Sequence, residues 1–537
     1  MELELQVNMK RIIIHNGHNG NIGNVVDQNN NWKRTPSLPF ELLSYNNAPP
    51  LLDYLAYLRQ VDFKKVYKAT RFWLNLPKKS MEEPFGISVK RRQINQANAI
   101  VKELGILFLN FAQINNLTID IRDFDYDLAT DIHDCISWPT YPLLNRNSYY
   151  NSSNENIEIN DENIERDNST ITVNNTHNAS NEVVLRSEIR EFLCAGQFDK
   201  DKILEEMTPI CKDIEILSLH DSSGTSSDSL ANFIMVQKRL KKFILTDWHL
   251  NTQNIFSAIA TQSKTLKHFE IINCNLPIRV VDKINEYKDW LFENLTKCHK
   301  LEFLKIEKCR NLSSIVMEPL AKVGLKNLKV LIIDNYINDY NDDDWDWNLS
   351  ELQSLIIKSH DTLIEIDLNV NLKIHTNILE TIGNNCSNLS KLSIAITGDQ
   401  ELKNLIRLFE RSLLKKLVEL RIQRKKETFS NTALRSTSTH STVFEVKQSL
   451  IELGNSLPSS IKYIELNSMM FNYKSWEEFL NVCPTSIEHL AFNTMQDQTK
   501  YKNLIEKYAK KHDKRLKCKD LSEYSWLSPK YIMVDLF

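Results

Sequence analysis

Several kinds of protein are excluded by what this 537-residue chain lacks. It contains no GxSxG, HExxH, GxxxxGK[ST] or GxGxxG, so the common nucleophile, zinc-protease and phosphate-binding signatures are missing. Eleven glycines leave few places where backbone can cradle a phosphate. No catalytic constellation emerges, and an enzyme is not expected. Apolar runs such as Tyr54 to Leu58 and Ile106 to Leu109 are far too short to span a bilayer. The 66 basic and 69 acidic residues give a net charge of −3, which predicts no general affinity for nucleic acid or anionic membranes. The nine cysteines form no CxxC pair and no Cys/His cluster with zinc spacing, so neither a metal nor a cofactor is expected. The opening MELELQVNMKRIIIHNG lacks an apolar secretion segment and the cysteine count is odd, which predicts free thiols in a cytoplasmic or nuclear setting.

What the chain has in abundance is one phrase: an aliphatic residue, two others, a large apolar residue, one other, and a further apolar residue. It reads Ile214-Glu-Ile-Leu217-Ser-Leu219, Leu240-Lys-Lys-Phe243-Ile-Leu245, Leu266-Lys-His-Phe269-Glu-Ile271, Leu301-Glu-Phe-Leu304-Lys-Ile306 and Leu328-Lys-Val-Leu331-Ile-Ile333. It returns as Leu389-Ser-Lys-Leu392-Ser-Ile394, Leu417-Val-Glu-Leu420-Arg-Ile422, Ile461-Lys-Tyr-Ile464-Glu-Leu466 and Ile487-Glu-His-Leu490-Ala-Phe492. The middle positions are separated by 26, 26, 35 and 27 residues and, after an irregular zone, by 28, 44 and 26. A period in the mid-twenties is that of a leucine-rich repeat.

Alternation across the phrase makes a short strand with its apolar residues on one side. Between strands the chain has room for a helix with its own stripe, such as Leu230, Phe233, Ile234 and Val236, or Ile255, Phe256 and Ile259. A single unit cannot bury these residues, so units stack. The predicted fold is α/β: a leucine-rich-repeat solenoid with a curved parallel sheet inside and helices outside, preceded by a short N-terminal helical segment. The residues between and after the strand leucines then face a concave surface: Ser218, Glu270, Lys305, Glu307, Asp334, Ser393, Arg421, Gln423, Glu465 and Asn467. Their mixed signs suit selective recognition of a protein.

Composition divides the rest. Residues 1–34 are Asn- and Gly-rich and predict a disordered tail, in which His15 and His18 carry no metal signature. Residues 35–80 predict helices over Leu51–Leu58 and Val61–Leu76, and residues 90–145 a first repeat or repeats that include a helix over Ala97–Phe108 and Ile114-Asn-Asn-Leu117-Thr-Ile119. Residues 146–182 are an Asn/Ser/acid-rich stretch that predicts a disordered insertion. The solenoid proper is expected over 186–499, with a Ser/Thr-rich loop at 425–442, and a cap over 500–537 that includes a charged helix from Lys502 to Asp520. The acidic stretch Asn341–Trp347 lacks calcium-loop spacing; Trp345 and Trp347 make it either a connecting loop or a partner contact.

Cysteine also recurs with the phrase, ahead of it at Cys211, Cys298, Cys386 and Cys483 and after it at Cys274 and Cys309. The repeats with these cysteines resemble the cysteine-containing subclass of leucine-rich repeats. The layout is similar to the F-box and leucine-rich-repeat family, in particular its divergent Asn-rich fungal branch. Leu38-Pro39-Phe40-Glu41-Leu42-Leu43 resembles the opening of an F-box, and the stretch from Asp62 to Trp73 resembles its close. Pro49-Pro50 and Ala69-Thr70 depart from the family pattern, so residues 35–80 are an F-box-like segment or an N-terminal cap. The resemblance implies the substrate-recognition adaptor of an SCF-type ubiquitin ligase. Leu38, Pro39, Leu42, Leu43, Leu55, Leu58 and Trp73 would then bind a Skp-type adaptor, and the concave face a protein substrate. The alternative is a protein-interaction scaffold without a working F-box.

Overall fold

The computed structural model describes residues 59–73, 114–120, 531–536 and, with breaks, 189–518; the longest breaks are 277–290, 335–349 and 425–441. The chain divides into two compact units, one of residues 1–118, 123–189 and 209–211, the other of residues 119–122, 190–208 and 212–537.

In the first unit a strand, β1 (Gln60–Asp62), leads directly into a helix over Phe63–Trp73. The first three residues of β2 (Asn116–Asp120) pair with β1 in parallel, with Val61 opposite Leu117. The N–H groups of Asn115 and Asn116 both donate to the Arg59 carbonyl, at 2.8 and 3.0 Å. Asp62 caps the helix by accepting from the Lys65 N–H at 3.2 Å. The expected continuous helix over Val61–Leu76 is therefore corrected at its start: Val61 and Asp62 belong to a strand, and the helix begins at Phe63. The physical reason lies in Leu58-Arg-Gln-Val61-Asp-Phe63, which is itself a copy of the repeated phrase. Its buried Val61 and Phe63 belong to the strand pattern, and Tyr67 is buried one helical turn further on.

The second unit is built on eleven parallel strands: β3 (Glu191–Ala195), β4 (Ile216–His220), β5 (Lys242–Thr246), β6 (His268–Ile272), β7 (Phe303–Glu307), β8 (Val330–Asp334), β9 (Glu365–Asn369), β10 (Lys391–Ile396), β11 (Glu419–Arg424), β12 (Tyr463–Phe471) and β13 (His489–Thr494). Each pairs with the next, and the register places the middle apolar residues side by side: Phe192, Leu217, Phe243, Phe269, Leu304, Leu331, Ile366, Leu392, Leu420, Ile464 and Leu490. All are buried. Two of these strands come from copies of the phrase that the reading by period passes over, Ile189-Arg-Glu-Phe192-Leu-Cys194 and Leu363-Ile-Glu-Ile366-Asp-Leu368. The second fills the irregular zone.

Helices cover the leucine side. The Phe256 ring, on the helix Gln253–Thr261, lies 5.6 Å from Phe269 of β6. Trp476, on the helix Tyr473–Val482, lies 4.0 Å from Phe492 of β13. Burying one such side chain is worth about 1.5–3 kcal/mol, and the layer runs the length of the sheet. Local signals start the helices: Ser226 accepts from the Ser229 N–H at 3.1 Å, and Asn472 from the Ser475 N–H at 2.9 Å. After β5, β6 and β7 the chain turns through Asp247, Asn273 and Lys308, whose φ values of 55°, 51° and 51° are left-handed. Helix-to-strand connections are uniformly short, five to eight residues from Met207 to His489. The three long breaks within 189–518 fall between the end of a strand and the following helix.

The parallel run ends at β13. A helix over Gln498–Lys511 is followed by β14 (Leu516–Cys518) and β15 (Tyr531–Leu536); β15 lies antiparallel to β13 and to β14. The expected charged helix to Asp520 thus stops at Lys511, and its last part contributes a strand.

Candidate recognition surface

Side chains on alternate strand positions point away from the helices, and the common register lines them up in rows. One row contains six of the expected face residues, in the order Ser218, Ile244, Glu270, Lys305, Ile332, Asp367, Ser393, Arg421, Glu465 and Ala491. Glu307, Asp334 and Asn369 are neighbours in a second row, as are Gln423 and Asn467. A third row was not anticipated from sequence: Ile216, Lys242, His268, Phe303, Val330, Glu365, Lys391, Glu419, Tyr463 and His489. Its signal is the residue just before each middle apolar position, which the same alternation places on this face.

Two features distinguish this surface from a solvated sheet face. The first is its apolar content, since Ile216, Ile244, Ile272, Phe303, Val330 and Ile332 are all half-buried on the side away from the helices. The second is that many of its charges are held by neighbours. Glu270 is bonded by His268 and lies 3.4 Å from the Lys242 ammonium. Lys305 pairs with Glu307 at 2.7 Å, and Lys308 with the same carboxylate at 3.1 Å. Arg421 pairs with Glu419 at 2.6 Å and Glu465 at 3.6 Å, while its guanidinium sits 5.2 Å from the Tyr463 ring centroid. The Tyr463 hydroxyl donates to Glu465 at 3.0 Å. Burial pushes that phenol's pKa up, and the Glu465 charge adds to the shift.

Strands β8 and β9 depart from this balance. Their face positions are Val330, Ile332, Asp334, Glu365, Asp367 and Asn369: three carboxylates and no cation. Lys391 on β10 approaches Glu365 at 3.5 Å. The Asn369 amide donates to Asp334 at 2.6 Å, and its own Oδ1 is buried with no hydrogen-bond partner among the described residues. Asp367 accepts a hydrogen bond from Ser393. Burial holds its pKa above the usual 3.8, the charges of Asp334 and Glu365 add to that, and Arg421 acts the other way.

The N-terminal edge of the sheet carries a separate set of exposed ion pairs. Glu215 meets Arg190, Arg239 and Lys241 at 3.0, 3.2 and 2.5 Å; Glu302 meets Lys267 and Lys329 at 3.0 and 2.6 Å. Cys194, Cys211, Cys274, Cys298, Cys309, Cys386 and Cys483 are buried, and no disulfide joins any of them among the described residues. Burial pushes the Cys298 and Cys386 thiols up to about 12, which makes them poor nucleophiles. Among the described residues no three His, Cys, Asp or Glu side chains are grouped to hold a metal, and no helix is long and apolar enough to cross a membrane.

Leu38, Pro39, Leu42, Leu43, Leu55 and Leu58 lie outside the described residues, and Trp73 is the last residue of the helix that follows β1. The tail 1–34, the helices at 51–58 and 97–108, the 146–182 insertion, the Asn341–Trp347 stretch and nearly all of the 425–442 loop also lie outside them. No protein-family model matches the chain, and no curated protein matches it in sequence.

Proposed function

We propose that this chain is a non-catalytic recognition protein of leucine-rich-repeat type that holds a protein partner on the open face of its sheet. The observation that carries this reading is the row in which Ile244 and Ile332 flank the charged Glu270 and Lys305 in parallel register. Half-buried aliphatics flanked by paired charges are the composition of an interface core and its rim. The mechanism is complementarity of shape and charge. The test compares proteins captured by the wild-type chain with those captured by Ile332→Glu. A partner lost with this variant and retained by Glu302→Gln, at the sheet's N-terminal edge, supports the reading; a partner retained by both removes it.

The more specific proposal makes the chain the substrate-selecting subunit of an SCF-type ubiquitin ligase, with a Skp-type adaptor as second partner. It rests on the resemblance of Leu38–Leu43 to an F-box opening. Catalysis would be borrowed: the adaptor brings a substrate lysine near a charged conjugating enzyme, so proximity is the contribution. The stretch resembling the F-box close, Asp62 to Trp73, begins in a strand with repeat-type pairing, which favours a scaffold whose repeats start at residue 58. Binding of a Skp-type adaptor to the full chain, abolished by deleting residues 35–57, supports the ligase proposal. Absence of binding leaves the scaffold.

A further inference from the structure

We propose that the strip from Ile244 to Asp367 receives an extended segment of the partner protein, with apolar side chains over Ile244 and Ile332 and a lysine or arginine beside Asp367. This rests on the open face being the recognition surface.

The apolar residues of the strip sit on successive strands, with Phe303 directly opposite Val330 and Ile244 separated from Ile332 by Glu270 and Lys305. Ile244, Ile272, Phe303, Val330 and Ile332 lie on β5 to β8, and Phe303 is stacked under the His268 ring. The charged groups interleaved with them compensate each other, Lys242 against Glu270 and Lys305 against Glu307. A partner charge placed there would have to break an existing pair. On β8 and β9 the face positions hold Asp334, Glu365 and Asp367 with no lysine or arginine among them. Lys391, 3.5 Å from Glu365, is shared with Glu419, and Arg421, whose charge also reaches Asp367, is paired with Glu419 and Glu465. Asp367 stands directly opposite Ile332 across the ladder. The donor of the Asn369 amide is given to Asp334 and its acceptor is left without a donor among the described residues, so this corner has an unfilled acceptor and more carboxylates than cations to share among them. Lysine or arginine supplies both.

Dimensions agree with a peptide. Four steps between neighbouring strands span about 19 Å from β5 to β9, the length of roughly six extended residues. The acidity of the receiving end disfavours a nucleic acid or an anionic lipid surface.

The experiment immobilises the full chain and selects a phage-displayed library of random short peptides against it, against Asp367→Lys and against Ile332→Glu. Enriched sequences are expected to combine aliphatic or aromatic residues with Lys or Arg, to bind Asp367→Lys weaker by about tenfold or more, and to lose Ile332→Glu. Peptides that lose Ile332→Glu but show no basic preference would overturn this inference and leave the recognition reading. Peptides that bind all three proteins equally would overturn both. No enrichment over bare beads would overturn the extended-segment inference alone, since a folded partner surface can still dock. Thermal melts monitor folding, and Ile332→Thr with Asp367→Asn replaces the stronger pair if either fails to fold.

Discussion

His268 and Phe303 lie ring on ring across β6 and β7, their centroids 3.8 Å apart and their planes within 6°. The pair stands on the open face, where neither ring is needed for the helix-side core. Stacked rings contribute about 0.5–1.5 kcal/mol beyond the area they cover. Phe303→Ala is expected to lower unfolding free energy modestly, by about 1–2 kcal/mol, and to weaken capture of the partner far more than that suggests. Chemical denaturation set beside a binding titration checks both. Equal small losses in the two measurements would count against a role in binding.

Asp367 and the exposed glutamates should give opposite pH behaviour. The folded chain binds the Asp367 proton more tightly than the unfolded chain does, so ionising it costs stability as pH rises through its raised folded pKa. Asp367→Asn is expected to melt above wild type at neutral pH, with the gap closing as pH falls through that range. Glu215, Glu302 and Glu488 are held below the usual 4.5, first by hydrogen bonds from Lys241, Lys329 and Lys462. Their contribution is present above 4.5 and is lost as pH falls through their lowered folded values. Being exposed pairs, they are worth about 0–1 kcal/mol each, and Glu302→Gln should change stability by no more than that.

Two buried amides tie successive units together. Gln237 accepts from the Ile214 N–H at 3.0 Å and donates to the Phe233 carbonyl at 2.8 Å; Gln262 donates to the Ile234 and Gln237 carbonyls, both at 2.9 Å. Gln262→Leu leaves two buried carbonyls without that donor. A loss of about 1–3 kcal/mol is expected in denaturant unfolding, and a loss below 0.5 kcal/mol would contradict this account.

Gly324 follows the helix Ser314–Val323 with φ +75°. A Cβ built there would lie 2.6 Å from the Lys358 Cβ and 3.3 Å from its carbonyl oxygen. Gly324→Ala therefore meets both backbone strain and a clash, and is expected to cost about 1–3 kcal/mol in a thermal or denaturant melt. An unchanged melting curve would show that the neighbouring unit gives way.

Strand positions, the alternation of strands with helices and most of the register were legible because the phrase forces period-two burial on each unit. The misses have physical causes. Leu58 and Phe63 sit at spacings a helix also satisfies, so the β1 copy is hidden among Leu51, Leu55, Val66 and Tyr67. The β3 copy ends in Cys194 instead of an aliphatic residue, and the β9 copy stands 35 residues from its predecessor, off the prevailing period. On the open face, Ser218, Glu270, Lys305 and Arg421 follow from alternation. Ile244, Ile332 and Phe303 do not, because a pattern search treats outward positions as polar and looks past aliphatics that serve no core. That Asp367 stands opposite Ile332 and diagonal to Asp334 appears only once the strands are in register.

The connections give the molecule two unlike margins. Where helices return to strands between Met207 and His489, five to eight residues fix each new strand beside the last. Where strands leave for helices, the chain accommodates stretches as long as 425–441 without shifting Leu420 from its place opposite Ile464. Sequence can therefore drift, lengthen or acquire modification sites along one rim while the other acts as a ruler. A family of such chains could diversify its rim contacts and keep the same arrangement of strands.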